Sequence, residues 1–442
     1  MHFAQRLSII TQQLKQNDEF LQHYNDTEDV NPENISKYTF ERQVVAQVHA
    51  GFKRRKRLMH IIAGPRQIGK SVASLQIAAK WQGPVVIASA DQPVPPGPEW
   101  IHTHWELAIL KAGESSSGSP SKVLLILDEI QKVPGWSEVI KGLWDKEQWQ
   151  EHHIELILLG SSTLLLQKGM TESLAGRFYL YRCMHWSLAE MHEAFGWDLE
   201  NWLFYGGYPG AAPLVSDSSE DHNIWVNYVR DSLIETVIAK DVLQLQTVAK
   251  PALLRHLFLL ACSHPAQILS YNKMLGQLHD AGNTTTLAHY LKLLESAYLL
   301  SGLELFKFGK LTKRGSSPKL ILWNNGLINA VVGETFTSCR TDFSWWGRIV
   351  ENAVGAHLLN HLSALSCSIY YWRERGNEVD FVIKTPKQLW AIEVKSSPAR
   401  SSDAQGLAAF CGKYPEARPL VIGNQGMGLE DFFLSDPENL FL

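Results

Sequence analysis

The sequence predicts an α/β protein, with a parallel sheet covered by helices on both faces in its N-terminal half and a second, strand-rich α/β unit at its C-terminal end. Three observations predict this. Apolar runs of strand length, LMHIIA (58–63), PVVIASAD (84–91), VLLILDE (123–129) and IELILLGSS (154–162), alternate with helical segments, as strands buried by crossover helices do. Strand signals then vanish from about 187 to about 265. They return where EVDFVI (378–383) and LWAIEVK (389–395) flank the turn KTPKQ (384–388), behind the amphipathic helix WWGRIVENAVGAHLLNHL (345–362).

At 442 residues the chain exceeds one ordinary core, so two or three domains are expected. A composition of 45% apolar and 19% charged residues is that of a globular protein, and a net charge of −4 advertises no global field for nucleic acid. Any such contact must rest on local patches. The cysteines, Cys183, Cys262, Cys339, Cys367 and Cys411, are scattered and never in C-x-x-C pairs. That spacing excludes a zinc ribbon and a disulfide framework and points to a reducing, cytoplasmic compartment. The N-terminal residues lack the basic-then-apolar pattern of a signal peptide, and no apolar run is long enough to span a bilayer.

In chain order, residues 1–36 read as a polar helical arm, and a helix from about 39 runs into KRRKR (53–57). GESSSGSPS (113–121) reads as a flexible surface loop, and FYGGYPGAAP (204–213) as a Gly/Pro elbow within the helical stretch. Ser270–Leu278 and Thr285–Ser296 read as two helices about an Asp-Ala-Gly-Asn turn, with Asn283 or Thr284 capping the second. A strand follows, so the arrangement is a helix-turn-helix with a wing.

GPRQIGKS (64–71) fits G-x-x-x-x-G-K-[ST], with a strand leading in and the helix SVASLQIAAKW leading out. Gly64, Pro65, Arg66, Gln67, Ile68 and Gly69 would wrap phosphate oxygens with backbone N–H groups at a helix N-terminus. Lys70 would reach the β- and γ-phosphates of ATP, and Ser71 would take a position on Mg²⁺. VLLILDE ends in Asp128, expected to hold the same Mg²⁺ through water, and Glu129, expected to polarise the attacking water. Ser161 and Ser162 end the next strand, where a small polar side chain orients that water or the chain simply turns. Arg177 in ESLAGRF is a candidate arginine finger or the partner of a neighbouring carboxylate.

Near the C-terminus three charges, Asp380, Glu393 and Lys395, stand inside apolar runs. Pairing symmetric about Pro386 and Lys387 places Asp380 opposite Glu393, and alternation puts Glu393 and Lys395 on one face. Glu351 lies off the apolar stripe of Trp346, Ile349, Val350, Ala353 and His357 and is the fourth member. Two readings stay open from the hairpin. Either these groups pair in a buried network, or Asp380 and Glu393 hold Mg²⁺ or Mn²⁺ while Lys395 assists a metal-bound water.

The layout of Asp380, Glu393-Val394-Lys395, Glu351 in the preceding helix and Gln405 in the following one resembles the PD-(D/E)XK nuclease superfamily. The order GPRQIGKS, LDEIQ, GSS…ESLAGRF, GGYPG and YYWRERGNEVDFVI…AIEVKSS resembles, from about 38 to 425, bacterial and archaeal AAA-type ATPases whose C-terminal half is a domain of unknown function. Behind the polar arm (1–37), the resemblance implies a P-loop ATPase core (38–186), a helical lid (187–250), a winged helix (251–317) and a restriction-endonuclease-like α/β domain (318–442). Lys70, Ser71, Asp128 and Glu129 match its nucleotide site. Glu351, Asp380, Glu393 and Lys395 match its nuclease-like site.

The remaining cations are less specific. KRRKR either meets an anionic surface or complements a helix C-terminus, and KFGKLTKRGSSPK (307–319) sits where a wing would contact backbone phosphates. The second helix of the pair offers only His289 and Lys292 for reading bases. The expectation is therefore an ATP- and Mg²⁺-dependent ATPase acting on nucleic acid, DNA ahead of RNA, with a nuclease-like C-terminal domain. The alternative is a signalling switch whose C-terminal domain binds DNA or a protein partner without cutting. Self-assembly is compatible with both, and a membrane with neither.

Overall fold

The computed structural model describes residues 40–54, 56–113, 122–150, 154–160, 173–216, 219–243, 248–278, 282–308, 317–363, 365–396 and 405–442. The N-terminal arm, Arg55, the insertion at 114–121, His152 and His153, Ser161 and Ser162, and wing residues 309–316 lie outside them. The chain divides into two compact units, residues up to 64 with 69–183, and 65–68 with 184–442.

In the first unit, α1 (Gln43–Phe52) precedes β1 (Met59–Ala63), α2 (Lys70–Ala79), β2 (Val85–Ser89), α3 (Glu99–Gly113), β3 (Val123–Asp128), α4 (Trp136–Gln150), β4 (Ile154–Gly160) and β5 (Phe178–Arg182). All five strands are parallel, in the order β2-β3-β4-β1-β5. Every residue of β1 and β4 is buried, because helices cover both faces. Trp105, Leu125, Leu127, Trp144, Leu156 and Leu158 belong to one continuous core. The four apolar runs of the sequence become β1 to β4. The fifth strand, FYLYR, is not singled out from the sequence despite its strand-favouring Phe and Tyr residues, and it pairs along its whole length with β1, from Met59 opposite Phe178 to Ala63 opposite Arg182.

The basic run is used in packing. Arg54 lies 4.0 Å over the Tyr179 ring, Arg57 lies 4.4 Å over Trp144, and Lys56 Nζ donates to the Gly176 carbonyl at 3.3 Å.

The second unit opens with α5 (Leu188–Phe195), held by a capping box of Ser187 and Glu190, and α6 (Leu199–Tyr205). Gly206, with φ 75°, makes the elbow: a Cβ there would lie 1.8 Å from Asn324 Oδ1. After α7 (Ser219–Asn227), two π-helical segments, Tyr228–Ile234 and Val237–Leu243, were not foreseen. Next come α8 (Pro251–Ser263), α9 (Tyr271–Gln277), α10 (Thr284–Ser296), β6 (Leu300–Leu305) and β7 (Lys319–Leu322). Ser270 caps α9, and Asn283 caps α10 by accepting from the Thr286 N–H at 2.9 Å.

The chain then forms α11 (Asn325–Val332), α12 (Phe336–Thr341), α13 (Phe343–Leu362), β8 (Ser368–Glu374), β9 (Asn377–Lys384), β10 (Leu389–Lys395), α14 (Gln405–Lys413), β11 (Ala417–Gly423), α15 (Leu429–Leu434) and α16 (Pro437–Phe441). One mixed sheet runs β11-β10-β9-β8-β6-β7, so β6 and β7, read from the sequence on either side of a domain boundary, pair within it.

A buried asparagine network fixes α13, the helix that carries Glu351. Asn352 accepts from the Leu322 N–H at 2.9 Å and donates to the Leu322 carbonyl at 3.0 Å and to Asn325 Oδ1 at 2.9 Å. Asn325 donates in turn to the carbonyls of Leu203 (2.7 Å) and Ile349 (3.0 Å). Buried amides with such partners specify one packing of helix against strand, because leaving any of them unpaired is costly. Among the described residues no helix is long and apolar enough to cross a membrane.

Candidate nucleotide site and carboxylate cluster

The loop between β1 and α2 needs its glycines. A Cβ on Gly64 would lie 1.8 Å from the Cys183 carbonyl oxygen, and Gly69 holds φ 85° as the residue before α2. Lys70 opens that helix, buried, with Nζ donating to the Gly64 carbonyl at 3.1 Å. Its charge therefore stays at the centre of the loop. Gln67 also has a left-handed backbone, φ 60°, and Ile68 is wholly buried.

Ser71, in the first turn of α2, donates its hydroxyl to Asp128 Oδ2 at 2.9 Å. The contact joins the loop to the end of β3, although 57 residues separate the two groups. Asp128 Oδ1 accepts the Glu129 N–H at 2.7 Å, and Gln131 Nε2 donates to Glu129 Oε2 at 2.7 Å. Glu129 is itself left-handed at φ 50°, a conformation that costs a side-chain-bearing residue roughly 1–3 kcal/mol. Both bonds hold it there. A hydroxyl and a carboxylate in contact beside a buried lysine are the oxygen donors that Mg²⁺ takes, with water and phosphate completing its shell.

Among the remaining sequence candidates, Ser161 lies outside the described residues. Arg177 is described: its Nε and Nη2 donate to the two carboxylate oxygens of Asp145 at 2.8 and 2.9 Å. This bidentate pair is half-exposed and holds Asp145 below the usual carboxylate range. A finger role would require that pair to open.

In the second unit β9 and β10 pair antiparallel from Leu389 opposite Lys384 to Ile392 opposite Phe381. The recorded pairing ends there, one step short of Asp380 and Glu393, which are the next positions on the two strands. Asp380 Oδ2 accepts the Val394 N–H at 2.9 Å, and Lys395 Nζ donates to Glu393 Oε1 at 2.7 Å. Glu393 Oε2 is buried, with no partner among the described residues. Gln405 begins α14.

Glu351 joins the cluster through a residue that the sequence reading placed elsewhere. Lys319, taken as the last cation of a solvent-facing wing, is wholly buried at the start of β7. Its Nζ pairs with Glu351, lies 3.2 Å from Asp380 Oδ1 and 3.7 Å from Glu378 Oε1, and donates to the Asp380 carbonyl at 3.3 Å. The available signal was a lone charge at the head of the apolar run KLILW. Glu378 was legible as the residue two before Asp380, hence on the same face of β9. Burial and the Asp380 charge push the carboxyls of Glu351 and Glu393 above their ordinary range.

Among the described residues no three His, Cys, Asp or Glu side chains gather as a metal-holding group. The cluster does offer Asp380 and Glu393 on adjacent strands, with one buried carboxylate oxygen of Glu393 unpartnered. That pair fits Mg²⁺, which keeps several waters and is commonly bound through one or two carboxylates. It does not fit an ion that demands a full protein cage.

Comparison with known families matches residues 56–192 to the AAA domain. Residues 196–338 and 346–434 match two domains of unknown function, DUF8612 and DUF4143. An uncharacterized protein of Haemophilus influenzae is 20% identical over 293 residues, covering 64% of this chain and 68% of its own length. Among solved structures, a Walker-type ATPase of Pyrococcus abyssi is similar at 12% identity and a TM-score of 0.43, over 66% of this chain and 96% of that one. RuvB of Thermotoga maritima is similar at 17% identity and a TM-score of 0.30, over 65% of this chain and 91% of that one.

Proposed function

We propose, from the premise that residues 56–192 form an AAA domain, that this protein binds ATP with Mg²⁺ and hydrolyses it. The observation that carries the proposal is the contact of Ser71 with Asp128 beside the buried Lys70. In this reading Lys70 and the loop N–H groups neutralise the β- and γ-phosphates, and Ser71 and Asp128 would hold Mg²⁺, which supplies further positive charge there. Glu129 orients and polarises the water that attacks the γ-phosphate in line. Arg177 would add its charge to the transferring phosphate on leaving Asp145. Lys70→Ala is expected to abolish ATP turnover with the circular-dichroism spectrum unchanged; turnover at the wild-type rate would sink the nucleotide assignment.

For the second unit we infer a nuclease-like module that acts on nucleic acid, DNA ahead of RNA. The order α13-β8-β9-β10-α14-β11, with Asp380, Glu393 and Lys395 at one end of the hairpin, supports it. Asp380 and Glu393 would hold Mg²⁺, whose charge would polarise a phosphodiester. Lys395, held by Glu393, would place a second positive charge on the same phosphate. The buried Lys319 favours a second reading, in which the module binds DNA or a protein partner without cutting, because part of the carboxylate charge is already neutralised. Cleavage of DNA or RNA with Mg²⁺ or Mn²⁺, lost in Asp380→Ala and in Lys395→Ala, is the outcome expected of the first reading. If neither nucleic acid is cut, with or without ATP, the second reading stands.

A further inference from the structure

The carboxylate cluster has two unlike sides. On one, the Lys319 ammonium touches Glu351 and both the Oδ1 and the carbonyl of Asp380, with no exposed surface of its own. The ammonium is buried, and these carboxylates hold its charge. On the other side Glu393 spends Oε1 on Lys395, and its Oε2 stays buried without a partner among the described residues. Asp380 belongs to both sides, Oδ1 turned to Lys319 and Oδ2 to the Val394 N–H.

We propose that Lys319 is the resident cation of this cluster: it takes the place of a second divalent ion between Glu351 and Asp380 and limits the site to one Mg²⁺ or Mn²⁺ between Asp380 and Glu393. The proposal rests on the metal-dependent reading of the second unit. Two-metal phosphodiesterases hold their ions about 3.5–4 Å apart on shared carboxylates. Here the shared carboxylate is Asp380, and an ammonium at 3.2 Å already satisfies its Oδ1.

The charge count agrees. Glu378 lies at the rim, half-exposed, with Arg373 at 3.8 Å as its counter-ion. Among the described residues there remain inside Glu351, Asp380 and Glu393 against Lys319 and Lys395, one negative charge in excess when all are ionised. One divalent ion converts that excess to a single positive charge, which one phosphodiester balances. Two would leave three positive charges packed together, with the desolvation cost that uncompensated buried charge carries.

The test counts Mn²⁺ on the full-length, nucleotide-free chain by electron paramagnetic resonance, scoring only ions lost in Asp380→Asn. The wild-type chain is expected to lose one ion, whose spectrum is that of an isolated Mn²⁺. Lys319→Met is expected to gain a second ion and the broadened spectrum of a coupled pair. Two coupled ions in the wild-type chain would overturn the role of Lys319 without any need for the variant. A folded Lys319→Met that still holds one ion would overturn it as well, leaving the metal reading intact. No Asp380-dependent ion in the wild-type chain would overturn the metal reading itself. Lys319→Arg, which keeps the cation, should remain at one ion, and a second ion there would count against the proposal.

Discussion

Replacing Glu129 by Gln is expected to slow ATP turnover by about two to four orders of magnitude while leaving ATP affinity within a few-fold of wild type. The two side chains have the same shape, and neither rotamer nor backbone need change. The left-handed φ of 50° is held by the Glu129 N–H on Asp128, which the substitution leaves intact. The bond from Gln131 Nε2 survives too, since an amide oxygen accepts it as a carboxylate oxygen does. What disappears is the negative charge that, in the proposed mechanism, draws a proton from the attacking water as the γ-phosphate departs. Lys70→Ala, by contrast, removes the charge that in the proposed mechanism meets the phosphates before and during transfer, so it should weaken binding as well as turnover. Phosphate release at steady state, set beside an equilibrium titration with a fluorescent nucleotide, separates the two outcomes. Turnover of Glu129→Gln within about threefold of wild type would take Glu129 out of the chemistry.

The nucleotide loop was legible because its determinants are local. Two glycines, a lysine and a serine lie within eight residues, and a strand and a helix bracket them. Asp128 and Glu129 stood out for a related reason: two carboxylates end the apolar run of β3, where Asp128 meets Ser71 of the loop. The β9–β10 register could be read from the turn alone, since a hairpin pairs symmetrically about its centre. Where the reading failed, the determinants were distant. β5 is short and alternates weakly, and its place beside β1 comes from pairing with residues more than a hundred positions earlier. Lys319 reads as one more cation in a basic run, because its partners Glu351, Glu378 and Asp380 follow between 32 and 61 residues later. Periodicity carries no information at that range.

That hidden residue gives the largest stability effect expected in the second unit. Lys319→Ala should lower its stability by about 3–5 kcal/mol at pH 8, the usual cost of removing one partner from a buried ion network. Glu351 and Asp380 would then be left buried with little compensating charge. The chain has two units and need not unfold in one step, so the measurement is hydrogen exchange of the β9 and β10 amides rather than a single melting curve. The loss should depend on pH in a fixed sense. Glu351 is held up at about 8 in the fold against an ordinary value of 4.5, so between those limits the folded state binds more protons than the unfolded chain. Its contribution to stability is therefore complete below 4.5 and lost as pH rises through about 8. Removing Lys319 raises this carboxyl further, so the deficit of the variant should shrink as pH falls towards about 8 from above, where only the variant already holds the proton, and should stay nearly constant from there down to 4.5. Lys319→Met combined with Glu351→Gln removes a charge of each sign and should recover more than half of the loss at pH 8. A single variant within about 1 kcal/mol of wild type, or a deficit that widens as pH falls, would contradict the buried network.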